Sequence, residues 1–212
     1  MIIDAAHATF ARGEKVMVVG ETGTGKSVLT RAILGFWPWG SGAVSRPDDE
    51  HITIAHAAPW LPEGTLAAAI ACPAPAGTWS HRDIGEALSA CGAPHLATRL
   101  DDRARWMHGL SAGEKQRCAV ARLILQKPAV VILEDALSAC DAPAQAELTR
   151  LIFERCRSSI VIDVSNRPAP AHLYDRIFTL TRSGSAASRL QERSGAGRAE
   201  AARNTEAASP AA

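Results

Sequence analysis

A chain of 212 residues, 47% hydrophobic and 21% charged, has room for one domain plus a tail, and this composition excludes wholesale disorder and collagen-like repetition. Lys and Arg number 23 against 22 Asp and Glu, a formal charge of +1 that argues against a surface built to coat nucleic acid. No apolar run approaches the ~20 residues of a membrane helix, no signal peptide is legible at the start, and five scattered cysteines without a CxxC pair predict reduced thiols.

In chain order, the β-branched apolar run 16–20 ends in glycine and predicts a buried strand feeding a turn. A helical apolar pattern follows over 27–34 and stops at Gly35, a fitting C-cap. Residues 52–54 predict a second strand. The Ala-rich stretch 65–100 is helical in pattern, broken by Pro73, Pro75, Gly77, Gly92 and Pro94. An amphipathic helix over 113–126 ends at Lys127-Pro128, and a fully apolar strand is expected at 129–133. A helix at 144–155 and strands at 160–164 and 176–180 complete the pattern. Strands alternating with helices predict an α/β fold, a mainly parallel sheet with helices on both faces. Residues 183–212, nearly all Ser, Gly, Ala, Arg and Glu, are expected to form a disordered tail, leaving 1–182 as the domain.

The chemistry starts at Gly20-Glu21-Thr22-Gly23-Thr24-Gly25-Lys26-Ser27, which fits GxxxxGK[ST] at every fixed position between a predicted strand and a predicted helix. Glycines at 20 and 25 permit backbone angles and close approach that a side chain blocks. Successive N–H groups at the helix N-terminus then face a phosphate. Lys26 is expected to reach the β- and γ-phosphates, and the Ser27 hydroxyl to ligate magnesium. The reading is a P-loop NTPase fold that binds a nucleotide with Mg2+, and the loop alone leaves kinases, GTPases, recombination ATPases and transporters open.

Further along, Leu110-Ser111-Ala112-Gly113-Glu114-Lys115-Gln116-Arg117 resembles the LSGGQ signature of ATP-binding cassette (ABC) proteins, with Ala112 at the first glycine and Glu114-Lys115 before Gln116. Residues 119–128 are similar to the helix after that signature, and 129–141 resemble the Walker B strand, catalytic carboxylate and D-loop. Gly35-Phe36-Trp37-Pro38-Trp39-Gly40-Ser41-Gly42 and Pro59-Trp60-Leu61-Pro62-Glu63-Gly64-Thr65-Leu66 resemble stretches of one branch, which holds SbmA/BacA-like proteins and peroxisomal fatty-acyl half-transporters. The resemblance implies a helical subdomain at about 65–125. It implies a head-to-tail homodimer or heterodimer, with ATP between the phosphate loop of one protomer and Ser111, Gly113, Glu114 and Gln116 of the other. It also implies a peripheral place on the cytoplasmic side of the inner membrane, beside a transporter membrane domain, with no nucleic acid bound.

The same resemblance locates departures in the hydrolysis machinery. Glu134 holds the magnesium position and Asp135 that of the base, the reverse of the usual Asp-Glu pair, so each arm changes by one methylene, roughly 1.5 Å. The Q-loop glutamine falls on Ala57, beside His56, and the switch histidine is replaced by Asn166, ahead of Arg167-Pro168. Phe10 is the candidate for stacking on adenine, with a plain core role as the simpler reading. Two functions follow: the ATPase subunit or detached cassette of an ABC transporter, with weak turnover, or a non-hydrolysing module using ATP as a dimerisation ligand.

Overall fold

The computed structural model describes residues 3–4, 7–48, 51–182 and 187–193. Strand β1 (Ile3–Asp4) precedes β2 (Lys15–Gly20), whose Val16 and Val18 are buried. Helix α1 (Lys26–Ile33) starts from Gly25, where φ is +99°, and β3 (Ile52–His56) follows a long connection. The helical stretch holds α2 (Leu66–Ala71), α3 (His81–Ala90), a 3₁₀ turn (Pro94–Arg99), α4 (Trp106–Gly109) and α5 (Ala112–Gln126). A short antiparallel ribbon, β4 (Gly64–Thr65) with β5 (Arg103–Ala104), clips its base, and Trp106 donates its indole N–H to the Gly64 carbonyl at 2.8 Å. Strand β6 (Val130–Glu134), helix α6 (Ala142–Arg155), β7 (Ile160–Val164), β8 (Arg176–Arg182) and β9 (Ser188–Arg193) complete the chain.

Helix boundaries follow local chemistry. Ser80 and Asp83 form a capping box at α3, Ser111 and Glu114 another at α5, and Asp141 accepts from the Ala144 amide at 2.8 Å to open α6. Helix α5 stops at Lys127, which takes a left-handed conformation before Pro128. Two arginines of α5 close the C-termini of its neighbours. Arg117 donates to the Cys91 carbonyl at 2.5 Å, and Arg122 to that of Ala69 at 2.8 Å.

The main sheet has the order β1-β9-β8-β2-β7-β6-β3. Strands β8, β2, β7, β6 and β3 run parallel, β9 is antiparallel to β8, and β1 is parallel to β9. Period-2 alternation along the strands assigns the two faces. Ile162 and Val164 of β7 pack with Val16, Val18 and Phe178 against Leu29 and Ile33 of α1. Val161, on the opposite face, joins Val131 and Leu133 in a core shared with Leu123 of α5 and Leu148 and Ile152 of α6. That core continues without a break into Leu66, Ile84, Leu88 and Trp106, so the helical stretch and the sheet share one apolar interior.

The expectation of a structureless tail from residue 183 does not hold at 188–193. Strand β9 pairs with β8 from Ile177↔Arg193 to Arg182↔Ser188, Leu190 packs on the cluster around Phe178, and Glu192 takes both Arg176 Nε and Nη2 at 2.7 Å. The rest of that stretch, 183–186 and 194–212, lies outside the described residues. All five cysteines are free, and burial pushes the Cys91 and Cys118 thiols up to about 12. Among the described residues, no helix is long and apolar enough to cross a membrane.

Candidate nucleotide-binding site

The loop leaving β2 is shaped by two glycines for two different reasons. Gly25 needs its φ of +99° to turn the chain into α1. Gly20 is crowded instead: a Cβ there would meet the Leu180 carbonyl oxygen at 2.5 Å and the Thr24 hydroxyl at 2.8 Å. Thr24 donates its hydroxyl to the Glu21 carbonyl at 2.8 Å. Lys26 is buried and folds back on the loop, donating to the carbonyls of Gly20 at 2.5 Å and Glu21 at 2.9 Å. Burial lowers the Lys26 ammonium below its ordinary value, against the opposing charge of Asp135. Glu21 contributes only its carbonyl to these bonds, while Thr22, Gly23, Gly25, Lys26 and Ser27 face a cleft of about 410 Å³.

Across that cleft stand Glu134, Asp135 and Asn166, from the C-terminal ends of β6 and β7. Glu134 is nearly buried and pairs in register with His56, whose Nε2 lies 3.3 Å from its carboxylate. Strand β3 therefore runs two residues beyond its expected end and delivers His56 beside the carboxylate expected to hold magnesium. Asp135 takes a left-handed φ of +49°, tolerated by aspartate better than by most residues. Asn166 then holds the carboxylate at both oxygens, donating from its backbone N–H at 2.8 Å and from Nδ2 at 2.7 Å. Beneath this pair, buried Asp163 accepts from the Ser165 and Tyr174 hydroxyls. Burial raises its pKa, and those two hydrogen bonds oppose the rise.

The oxygen donors suit magnesium, which is usually held through one or two carboxylates plus substrate phosphates rather than by an all-protein cage. The Ser27 hydroxyl and the Glu134 carboxylate line one cleft, and among the described residues no group of three His, Cys, Asp or Glu side chains gathers into a cage.

The signature residues are elsewhere: Ser111, Gly113, Glu114 and Gln116 do not line this cleft. Of these residues, expected to meet a nucleotide held by another protomer, Gln116 and Glu114 have their side chains engaged within the chain itself. Gln116 is 1% exposed, donates to the Ala57 carbonyl at 2.8 Å and to Ser138 Oγ at 3.2 Å, and accepts from the Ala139 amide. It ties α5 to the segment after β3 and to the loop after β6. The Glu114 carboxylate closes the cap of α5, accepting from the Ser111 amide and hydroxyl at 2.8 Å and meeting His95 Nε2 at 2.8 Å. The His95 bond first, then those of Ser111, pull the Glu114 carboxyl down to about 2. Ser-x-x-Glu is itself a capping-box pattern, so this role was readable from spacing. Phe10 takes the core role: its ring meets Phe178 edge-on at 5.8 Å. Two residues that the motifs did not indicate, Arg182 and Ser188, line the cleft from β8 and β9.

Residues 3–138 match the family model described as ABC transporter. An ABC transporter ATP-binding protein of Haemophilus influenzae is 31% identical over 183 residues, covering 86% of this chain and 31% of that protein. The Escherichia coli inner membrane ABC transporter ATP-binding protein YddA is 32% identical, with 85% and 32% covered. ABC transporter D family member 2 of Dictyostelium discoideum is 31% identical, with 81% and 24% covered. A bacterial Atm1-family ABC exporter solved with ATP bound shares the fold, with a TM-score of 0.72 at 22% identity over 93% of this chain and 38% of the exporter. The chain thus spans about a third of the length of the first two relatives.

Proposed function

The chain belongs to the ABC transporter family, and on that premise we propose that it is an ATP-binding cassette that binds and slowly hydrolyses ATP with magnesium, on behalf of a membrane-embedded transporter domain. The observation that carries this reading is the convergence of Lys26, Ser27, Glu134, Asp135 and Asn166 on one cleft, although they are far apart in the chain. Relatives named as transporter ATP-binding proteins favour it over a non-hydrolysing module.

In this reading Lys26 exchanges the Gly20 and Glu21 carbonyls for phosphate oxygens, and the loop amides at the start of α1 supply further donors. Ser27 and Glu134 hold magnesium, which when bound neutralises charge on the β- and γ-phosphates. Asp135 orients the attacking water and takes its proton, while Asn166 holds the carboxylate in place. Asparagine carries no proton or charge near neutral pH, so it acts by position alone. The short Asp135 arm and the Ala57 position support slow turnover, because a misplacement of ~1 Å costs about 10²-fold in rate.

A second protomer completes the site in this reading. The capped N-terminus of α5, with Ser111 and Gly113, offers amide donors and a helix dipole to the γ-phosphate bound in the opposite subunit. The membrane partner is assigned to the hollow of about 260 Å³ around Trp60, Leu61, Arg105, Trp106 and Met107, at the rim of the helical stretch. Trp60 there is 62% exposed and offers apolar surface for a partner to cover. In this reading the cassette works from the cytoplasmic side of the membrane.

Lys26→Ala tests binding. A ligand at a hundredfold excess over its Kd adds about 2.7 kcal/mol of stability, so ATP raises the Tm of the unaltered chain and leaves that of the variant unmoved. Equal shifts in both would sink the reading. Asn166→Ala tests the carboxylate clamp: turnover falls about tenfold through loss of a charge-assisted hydrogen bond, with the ATP-induced Tm shift retained.

A further inference from the structure

Resting on the nucleotide reading above, we propose that Arg182 and Ser188, paired on the last rung of the β8–β9 ladder where the two strands are joined, form the nucleoside subsite of this cleft. The Arg182 guanidinium covers the purine face, and the Ser188 hydroxyl bonds the ribose or the base edge.

Topology sets the polarity of a nucleotide here. Strand β2, which feeds the phosphate loop, lies between β7 on one side and β8 on the other. Glu134, Asp135 and Asn166 all come from the β6–β7 side, so the terminal phosphate and its metal belong there. The remainder of the molecule runs the opposite way, over the ends of β8 and β9. Register locates the two residues on that path. Leu180 pairs with Gly20, so Arg182, two residues further along a parallel strand, stands beside the start of the loop. Ser188 is its direct partner in the antiparallel ladder, and both line the cleft.

Two further observations point to a ligand. Ser188 is 1% exposed and its hydroxyl has no hydrogen-bond partner, a costly state for a buried polar group. Thr149 and Thr179 carry similar orphan hydroxyls, but of the three only Ser188 borders the cleft. Second, Arg182 stands beside Ser188 on the cleft wall, and a planar guanidinium stacks on an aromatic face and adds a cation–π attraction.

The test is equilibrium binding of ATP and of inorganic tripolyphosphate, each with magnesium, to the full chain and to its Arg182→Ala, Ser188→Ala and Lys26→Ala variants. Tripolyphosphate keeps three phosphates and has no nucleoside. Arg182→Ala is expected to weaken ATP about 5- to 30-fold and to leave tripolyphosphate within about twofold. Ser188→Ala, which removes an unpaired hydroxyl, is expected to weaken ATP about threefold or more with tripolyphosphate unaffected and the Tm unchanged or higher. Lys26→Ala weakens both ligands. Unaltered ATP affinity in both hairpin variants overturns the proposal, and so does an equal loss of ATP and tripolyphosphate, which would make Arg182 a phosphate contact. If the unaltered chain binds neither ligand, the phosphate-loop reading fails and takes the subsite with it.

Discussion

Gly20→Ala separates two reasons for a glycine at the head of the phosphate loop. If close approach of a phosphate were the sole reason, alanine would abolish ATP binding and leave the free protein intact. The structure assigns the crowding elsewhere, because the added methyl would stand 2.5 Å from the Leu180 carbonyl oxygen and 2.8 Å from the Thr24 hydroxyl. A backbone oxygen fixed in the β2–β8 ladder cannot swing aside, so the strands must part by several tenths of an ångström where Gly20 pairs with Leu180. Overpacking of this kind costs roughly 1–3 kcal/mol. At roughly 2–4 °C per kcal/mol for a domain of this size, the Tm of the nucleotide-free variant falls by roughly 2–12 °C. ATP affinity falls as well, since Lys26 takes its bearing from the Gly20 carbonyl at 2.5 Å. Thermal melts without nucleotide, read beside ATP titrations, make the measurement. A variant that melts with the parent yet binds no ATP would refute the strand-crowding argument.

Ending the chain after Arg182 removes β9, and with it Leu190 from the cluster around Val16, Val18 and Phe178 and Glu192 from Arg176. The Tm is expected to drop by roughly 5 °C or more, whereas a chain ending after Arg193 stays within roughly 2 °C of the parent; equal melting of all three would remove β9 from the domain. Glu114 sets an acid limb of stability. Its carboxyl is held near 2 in the folded chain against an ordinary 4.5, so its contribution is complete above about pH 4.5 and is lost as pH falls from there through about 2. Glu114→Gln is expected to flatten the Tm-against-pH curve over that window, and parallel curves would show that the cap is not linked to the charge.

The elements legible in the sequence are those written in short-range chemistry. The run from Lys15 to Gly20, the apolar β6 and β7, and the helix stops at Gly35 and Lys127 each follow from local pattern. The phosphate loop was equally legible, because its geometry is dictated by residues within eight positions of one another. What the sequence by itself determined, then, is a P-loop nucleotide fold and the residues that line one side of its cleft. Tertiary structure decided how the other residues are used. Gln116 reads as a signature residue, but burial against Ala57 and Ser138 commits it to joining segments. Asn166 reads as a lost histidine, but the meeting of β6 and β7 makes it the clamp on Asp135. Strand β9 carries one leucine and no apolar run, so composition alone reads it as tail; it is a strand because β8 offers it a ladder and a pocket for Leu190. In each case the deciding partner lies far away in the chain, and hydrogen bonding or burial against it outweighs a weak local preference.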